Sequence, residues 1–137
     1  MPKRILVDSN VLLDVLTDDP QWGDWSCDAL AAGAEYSALV IDPVIYAEVS
    51  VRYEGIEDLD LALSPDAFLR EAIPWEAAFL AAKCFVRYRQ AGGARRSTLP
   101  DFFIGAHAAI ADMVLLTRDA GRYTTYFPTV ELLSPGD

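Results

Sequence analysis

The sequence predicts an α/β protein: one three-layer α/β/α domain with a central, mainly parallel sheet. Short apolar runs of strand length alternate along the chain with longer segments of helical periodicity. Strands separated by helices pair in parallel, and the helices cover both faces of the sheet. The 137 residues are the length of one domain. No repeat, low-complexity tract or linker interrupts them, so residues 1–137 are expected to form a single unit.

Each element has its own signal. Ile5-Leu6-Val7 is a short apolar run that ends in Asp8 and reads as a buried strand. Ser9 or Asn10 can cap the helix that follows, whose apolar face is Val11, Leu12, Val15 and Leu16. An alanine-rich helix over about 22–32 is expected to stop at Gly33, and residues 36–41 read as the next strand. Asp42-Pro43 starts a helix, with Asp as cap and Pro in the first turn, that runs to about Glu54 and ends at Gly55. Residues 56–73 carry a weaker pattern: a short helix over 56–63, broken by Ser64-Pro65. Pro74-Trp75-Glu76 opens a long helix that ends at Gly92-Gly93, and residues 95–99 are loop. Pro100-Asp101 starts a helix to about Asp112; residues 114–117 are a strand, 119–121 a turn, and 130–133 a final short strand.

A hydrophobic fraction of 53% and a charged fraction of 23% are those of an ordinary soluble globular protein. Cys27 and Cys84 fall in apolar helical stretches, and one His cannot build a zinc site with two isolated cysteines. Both are expected to be small, reduced core residues, as in a cytosol. The basic start reaches Asp8 too early for a signal peptide. No apolar run approaches the roughly 18 residues that span a bilayer. The expectation is a cytoplasmic protein without a membrane segment.

The net charge of −10 argues against a nucleic-acid ligand, but the charge is unevenly spread. Residues 1–82 carry 4 basic and 16 acidic side chains, whereas Lys83, Arg87, Arg89, Arg95 and Arg96 follow with no acid before Pro100. That basic run is either a solvated face or a local phosphate-binding patch on an acidic body.

The acids themselves form a pattern. Function in a parallel α/β sheet is expected outside the carboxyl ends of its strands. Asp8 ends the first strand and Asp119 lies just past a later one, although helix capping and an Asx turn would also explain them. Glu48 has Val44, Ile45 and Val51 three or four positions away, which places its carboxylate within the apolar face of its helix. A buried carboxylate there needs an Arg partner or a metal. Asp101 opens the unusually apolar helix Phe102-Phe103-Ile104-Gly105-Ala106, so it is either a cap or a group aimed at an interior site. If the four acids converge, each pair roughly 4 Å apart repels by about 4 kcal/mol at an effective dielectric of about 20. A cation or raised pKa values must then relieve the cluster. Oxygen-only ligands suit Mg²⁺ or Mn²⁺, which can support hydrolysis of a phosphodiester.

Two other acid-dependent chemistries fail on single residues. A haloacid-dehalogenase-like phosphatase needs a second Asp two residues after the first, and that position is Asn10. A receiver domain needs a late Lys, and the last one here is Lys83 within a helix.

Four segments together resemble the PIN-domain family. Residues 7–14 (VDSNVLLD) are similar to its opening, residues 43–48 (PVIYAE) to its second acidic motif, and residues 99–108 (LPDFFIGAHA) to its third. Residues 116–119 (LTRD), then Arg122-Tyr123 and Tyr126-Phe127-Pro128, resemble the fourth motif and the approach to the last strand. The likeness spans nearly the whole chain and is loosest at residues 55–73; the single-domain length is that of VapC-type toxins. The resemblance implies a Mg²⁺- or Mn²⁺-dependent endoribonuclease with Asp8, Glu48, Asp101 and Asp119 as catalytic, metal-holding acids. It implies Asn10 and Thr117 as polar supporters of metal-bound water. It also implies a homodimer and a VapB-like antitoxin whose C-terminal segment covers the site. A catalytically silent PIN-like RNA- or protein-binding module is the alternative, and loss of an acid would be its mark.

Arg95 and Arg96, on the loop leading into Asp101, are candidates for contact with the RNA backbone. His107, six residues after Asp101, points away from it and is expected to be packed or hydrogen-bonded. Asp14 is expected to be a surface charge or to support the site from behind. Asp112 is expected to be solvated, and Trp22 and Trp25 to pack, with an antitoxin or dimer contact as the alternative.

Overall fold

The computed structural model describes residues 2–92 and 97–136. The chain runs β1 (Ile5–Val7), α1 (Ser9–Leu16), α2 (Gly23–Tyr36), β2 (Leu39–Ile41), α3 (Pro43–Ser50), α4 (Ile56–Ala62), β3 (Leu69–Arg70), α5 (Trp75–Gln90), α6 (Leu99–Ile110), β4 (Val114–Leu116), a 3-10 turn (Ala120–Arg122) and β5 (Leu132–Leu133). The strands form one sheet in the order β3-β2-β1-β4-β5, and every pairing is parallel. Connections from β1 therefore travel one way to β2 and β3, and the chain returns over the sheet to β4 and β5. Parallel crossovers are right-handed, so the two directions put helices on opposite faces. The switch of direction falls between β1 and β4, where Ile5, Leu6 and Val7 pair with Val114, Leu115 and Leu116. An open parallel sheet leaves a crevice at such a point.

The central strands are apolar because both their faces are covered. Every residue of β1, β2 and β4 is buried. Alternate residues face opposite helix layers, with Ile5 and Leu39 turned toward α2. Gly33 does not end α2, which continues to Tyr36. A Cβ at Gly33 would lie 3.3 Å from both Ile5 Cδ1 and Leu39 Cδ2. The missing side chain lets the helix lie close on the sheet, and that packing outweighs glycine's poor helix propensity of about 1 kcal/mol. The segment 36–38 is accordingly helix end and turn, and β2 is shorter than expected.

Other boundaries differ for similar local reasons. The helix after Pro43 ends at Ser50, not near Glu54. Within the weakly patterned stretch, α4 forms as expected, and Leu69–Arg70 adds an edge strand that sequence periodicity does not reveal. Two exposed residues are too few to alternate, and short edge strands resist unwanted pairing. Cys84 is buried, but Cys27 is exposed and is not a core residue. Lys3 forms an ion pair with Asp112, which is exposed as expected. Among the described residues no helix is long and apolar enough to cross a membrane. Arg95 and Arg96 lie outside the described residues.

Candidate active site

Asp8 is the hub of the crevice. Its backbone N–H donates to Leu116 O at 2.9 Å, which ties the end of β1 to β4. Its side chain does not cap α1; it turns to the switch point and is almost fully buried. Thr117 Oγ1 and Tyr123 OH donate to Asp8 Oδ2 at 2.9 and 2.7 Å. Asn10 Nδ2 stands 3.5 Å from the same oxygen and 3.3 Å from Thr117 Oγ1, while Asn10 Oδ1 accepts from Arg118 N at 3.1 Å. Asn10 and Thr117 thus brace Asp8 instead of capping or extending an element. Burial pushes the Asp8 carboxyl above its ordinary range against the pull of the Tyr123 and Thr117 bonds, and the Asp101 charge adds to the rise. The buried Tyr123 hydroxyl is held well above its ordinary range by burial and by Asp8, so it remains a donor.

The other three acids reach the same region from separate elements. Glu48, on α3, is only partly buried, contrary to its position among apolar neighbours. Ser9 Oγ, expected as a possible cap, instead donates to Glu48 Oε1 at 2.8 Å. Burial raises the Glu48 carboxyl against that bond; Asp8 and Asp101 push it further up, and Arg122 pulls it down. Asp101 sits in the first turn of α6, where Thr98 N–H donates to its Oδ2 at 2.9 Å. The capping role and the site role therefore use different oxygens of one carboxylate. Arg122 Nη1 donates to Asp101 Oδ1 at 3.3 Å, and Arg122 Nε lies 2.8 Å from Asp119 Oδ2. Asp119 N in turn donates to Thr117 Oγ1 at 3.0 Å.

Neighbouring residues depart from the sequence expectation or fulfil it plainly. Asp14 is not a surface charge: it is buried, accepts from Arg118 Nε and Nη2 at 2.7 and 3.0 Å, and takes a third bond from Ser26 Oγ. Arg118 also lies over the Trp22 ring, 5.6 Å from its centroid. Trp25 packs against the core, as expected. His107 is fully buried and donates Nδ1–H to Asp42 Oδ2 at 2.9 Å, away from the four acids, while Asp42 Oδ1 caps α3 through Ile45 N. Arg122 and Tyr123 emerge as site residues that spacing alone does not single out. Their signal was their place just after Asp119.

Among the described residues, no three acidic, histidine or cysteine side chains stand as a ready-made metal cluster. The donor set still fits a hard cation. Mg²⁺ keeps several waters and binds through one or two carboxylates, so it does not demand a closed cage. Here the guanidinium of Arg122 lies between Asp101 and Asp119 and supplies positive charge to both.

An open parallel sheet with acids converging at its switch point defines the class as an α/β domain with an acidic strand-end site. Residues 5–127 match the model of the PIN domain, and the chain belongs to that family. No curated protein is similar to it by sequence. Among solved structures, VapBC2 from Rickettsia felis bound to a DNA fragment from the promoter matches with a TM-score of 0.72 and 15% identity, over 96% of this chain and 98% of that one. VapBC-1 from nontypeable Haemophilus influenzae matches with 0.72 and 16%, over 96% and 97%. A toxin–antitoxin complex from Klebsiella pneumoniae matches with 0.70 and 20%, over 97% and 98%. At these identities the likeness is one of fold.

Proposed function

We propose that this chain is a Mg²⁺- or Mn²⁺-dependent endoribonuclease, the toxin of a VapBC-type toxin–antitoxin pair. The observation that carries the proposal is the group of carboxylates from four separate segments around Asp8, a buried acid whose carboxyl is raised by burial and by Asp101. Such a group is unstable without positive charge and suits a hard ion. Asp8, Glu48, Asp101 and Asp119 would hold the ion. When bound, it supplies an activated water and neutralises charge on the phosphodiester. Thr117 and Tyr123 fix the rotamer of Asp8, Ser9 fixes Glu48, and Asn10 braces the buried Thr117 hydroxyl, which is spent on Asp8 and does not face water. No side chain acts as a covalent nucleophile, and the products are 5′-phosphate and 3′-hydroxyl ends.

The structural neighbours are complexes with antitoxins, which supports a VapB-like partner for this chain. Trp75, Phe79 and Val86 are exposed along α5 at spacings of four and seven, an apolar stripe of the kind a homodimer covers. The test is cleavage of total cellular RNA by antitoxin-free protein in Mg²⁺, Mn²⁺ or EDTA, beside D8N. A discrete metal-dependent product absent from D8N supports the nuclease. Intact RNA with a folded, metal-bound protein would favour the catalytically silent binding module.

A further inference from the structure

We propose that Arg122 is a built-in counter-ion that competes with the divalent cation for Asp101 and Asp119 and, once released, grips the substrate's phosphate. The inference rests on the nuclease proposed above and assigns a charge-balancing and substrate-binding role to a residue outside the acidic set.

Two arginines follow Asp8's partner strand, and they are held very differently. Arg118 makes a bidentate pair with buried Asp14 at 2.7 and 3.0 Å and lies over Trp22. It is locked. Arg122 instead spreads single contacts over two carboxylates, at 3.3 Å to Asp101 and 2.8 Å to Asp119, with 38% of its side chain exposed. The contact to buried Asp101 is single and long at 3.3 Å, and the Asp119 carboxylate is itself 37% exposed, so neither pair matches the bidentate hold on Arg118 and an incoming cation displaces the guanidinium. Its remaining N–H donors make no hydrogen bond to any described residue. A guanidinium is always charged and offers five donors in a fork matched to phosphate oxygens.

The backbone permits the exchange. Arg122 closes the 3-10 turn Ala120–Arg122, and the next residue, Tyr123, is fully buried and bonded to Asp8. The main chain is therefore anchored beside the hub, and side-chain rotation alone moves the guanidinium. While it lies between Asp101 and Asp119 it relieves the repulsion among the acids. Once a divalent ion takes over that task, the same group faces the solvent side of the site, where a phosphate arrives.

The experiment is a calorimetric Mn²⁺ titration of the full chain without RNA, on wild type, R122A, R122Q and R122K, with folding checked by circular dichroism. A second measurement is the affinity of each for a short fluorescein-labelled RNA in Ca²⁺. Wild type and R122K should bind Mn²⁺ alike, whereas R122A and R122Q should bind it about tenfold more tightly because a competing charge is gone. The same two variants should bind the RNA about tenfold more weakly, having lost a charge-assisted contact. If R122A does not fold, R122Q carries the same expectation. Unchanged or weaker Mn²⁺ binding by the neutral variants, with wild type binding normally, overturns the counter-ion role alone, and unchanged RNA affinity overturns the phosphate contact. Wild type that binds no Mn²⁺ overturns the nuclease proposal as well.

Discussion

Asp8 is an acid in the wrong solvent. Its carboxyl is raised from the ordinary 3.8 chiefly by burial, so the folded chain binds that proton more tightly than the unfolded chain does. The stabilisation is fully present below 3.8 and is lost as pH rises through the folded value, leaving ionised Asp8 a net liability at neutral pH. D8N removes the charge and keeps a carbonyl oxygen for Thr117 and Tyr123. Its thermal midpoint should exceed that of wild type at pH 7, and the gap should close as the pH falls toward 3.8. Cleavage should drop by about 10²-fold or more, the scale of losing one preorganised charge in an active site. A midpoint below wild type at pH 7 would contradict the burial account. Tyr123 acts on the same oxygen from the other side. Y123F deletes a buried donor to a carboxylate and should cost about 1.5–3 kcal/mol in chemical denaturation, with RNA cleavage falling in parallel.

Two contacts between elements fix the crevice. Arg118 ties the segment after β4 to Asp14 of α1, so R118A strands a buried carboxylate and should destabilise by about 3–5 kcal/mol. R118A combined with D14N should recover much of that loss, and absence of recovery would show that the pair itself is not the source. At Gly105 of α6 an added Cβ would lie 2.5 Å from the buried Phe127 ring, which also packs against Phe102. The ring has nowhere to go, and G105A should cost about 1–3 kcal/mol as overpacking. The order of the elements, the acids at strand ends and the apolar α6 were legible because they depend on local runs and positions. What escaped depended on distant partners. Asp14 carries no mark in its own helix of an arginine 104 positions away. Ser9 and Asn10 look like caps until Glu48 and Thr117 are known to face them. Gly33 looks like a stop because the sheet that welcomes it is built from residues on both sides of it.

A net charge of −10 acts on the whole molecule, and the carboxylates around Asp8 concentrate part of it in one crevice. Monovalent salt and a bound divalent ion relieve that charge by different routes. Salt screens exposed charges over a Debye length of about 10 Å at 0.1 M and acts much less on buried groups, so NaCl should stabilise wild type and D8N similarly. A site-bound ion stabilises the folded state by mass action, about 2.7 kcal/mol at a hundred times its Kd. Thermal melts in MgCl₂ or MnCl₂, matched in ionic strength with NaCl, should therefore show an extra rise in Tm for wild type. EDTA should remove the rise, and D8N and D101N should blunt it. Equal melting in matched salts would mean that the acidic crevice is served by Arg122 alone and that no divalent ion binds there. A rise equal in wild type and D8N would place the ion elsewhere on the acidic surface.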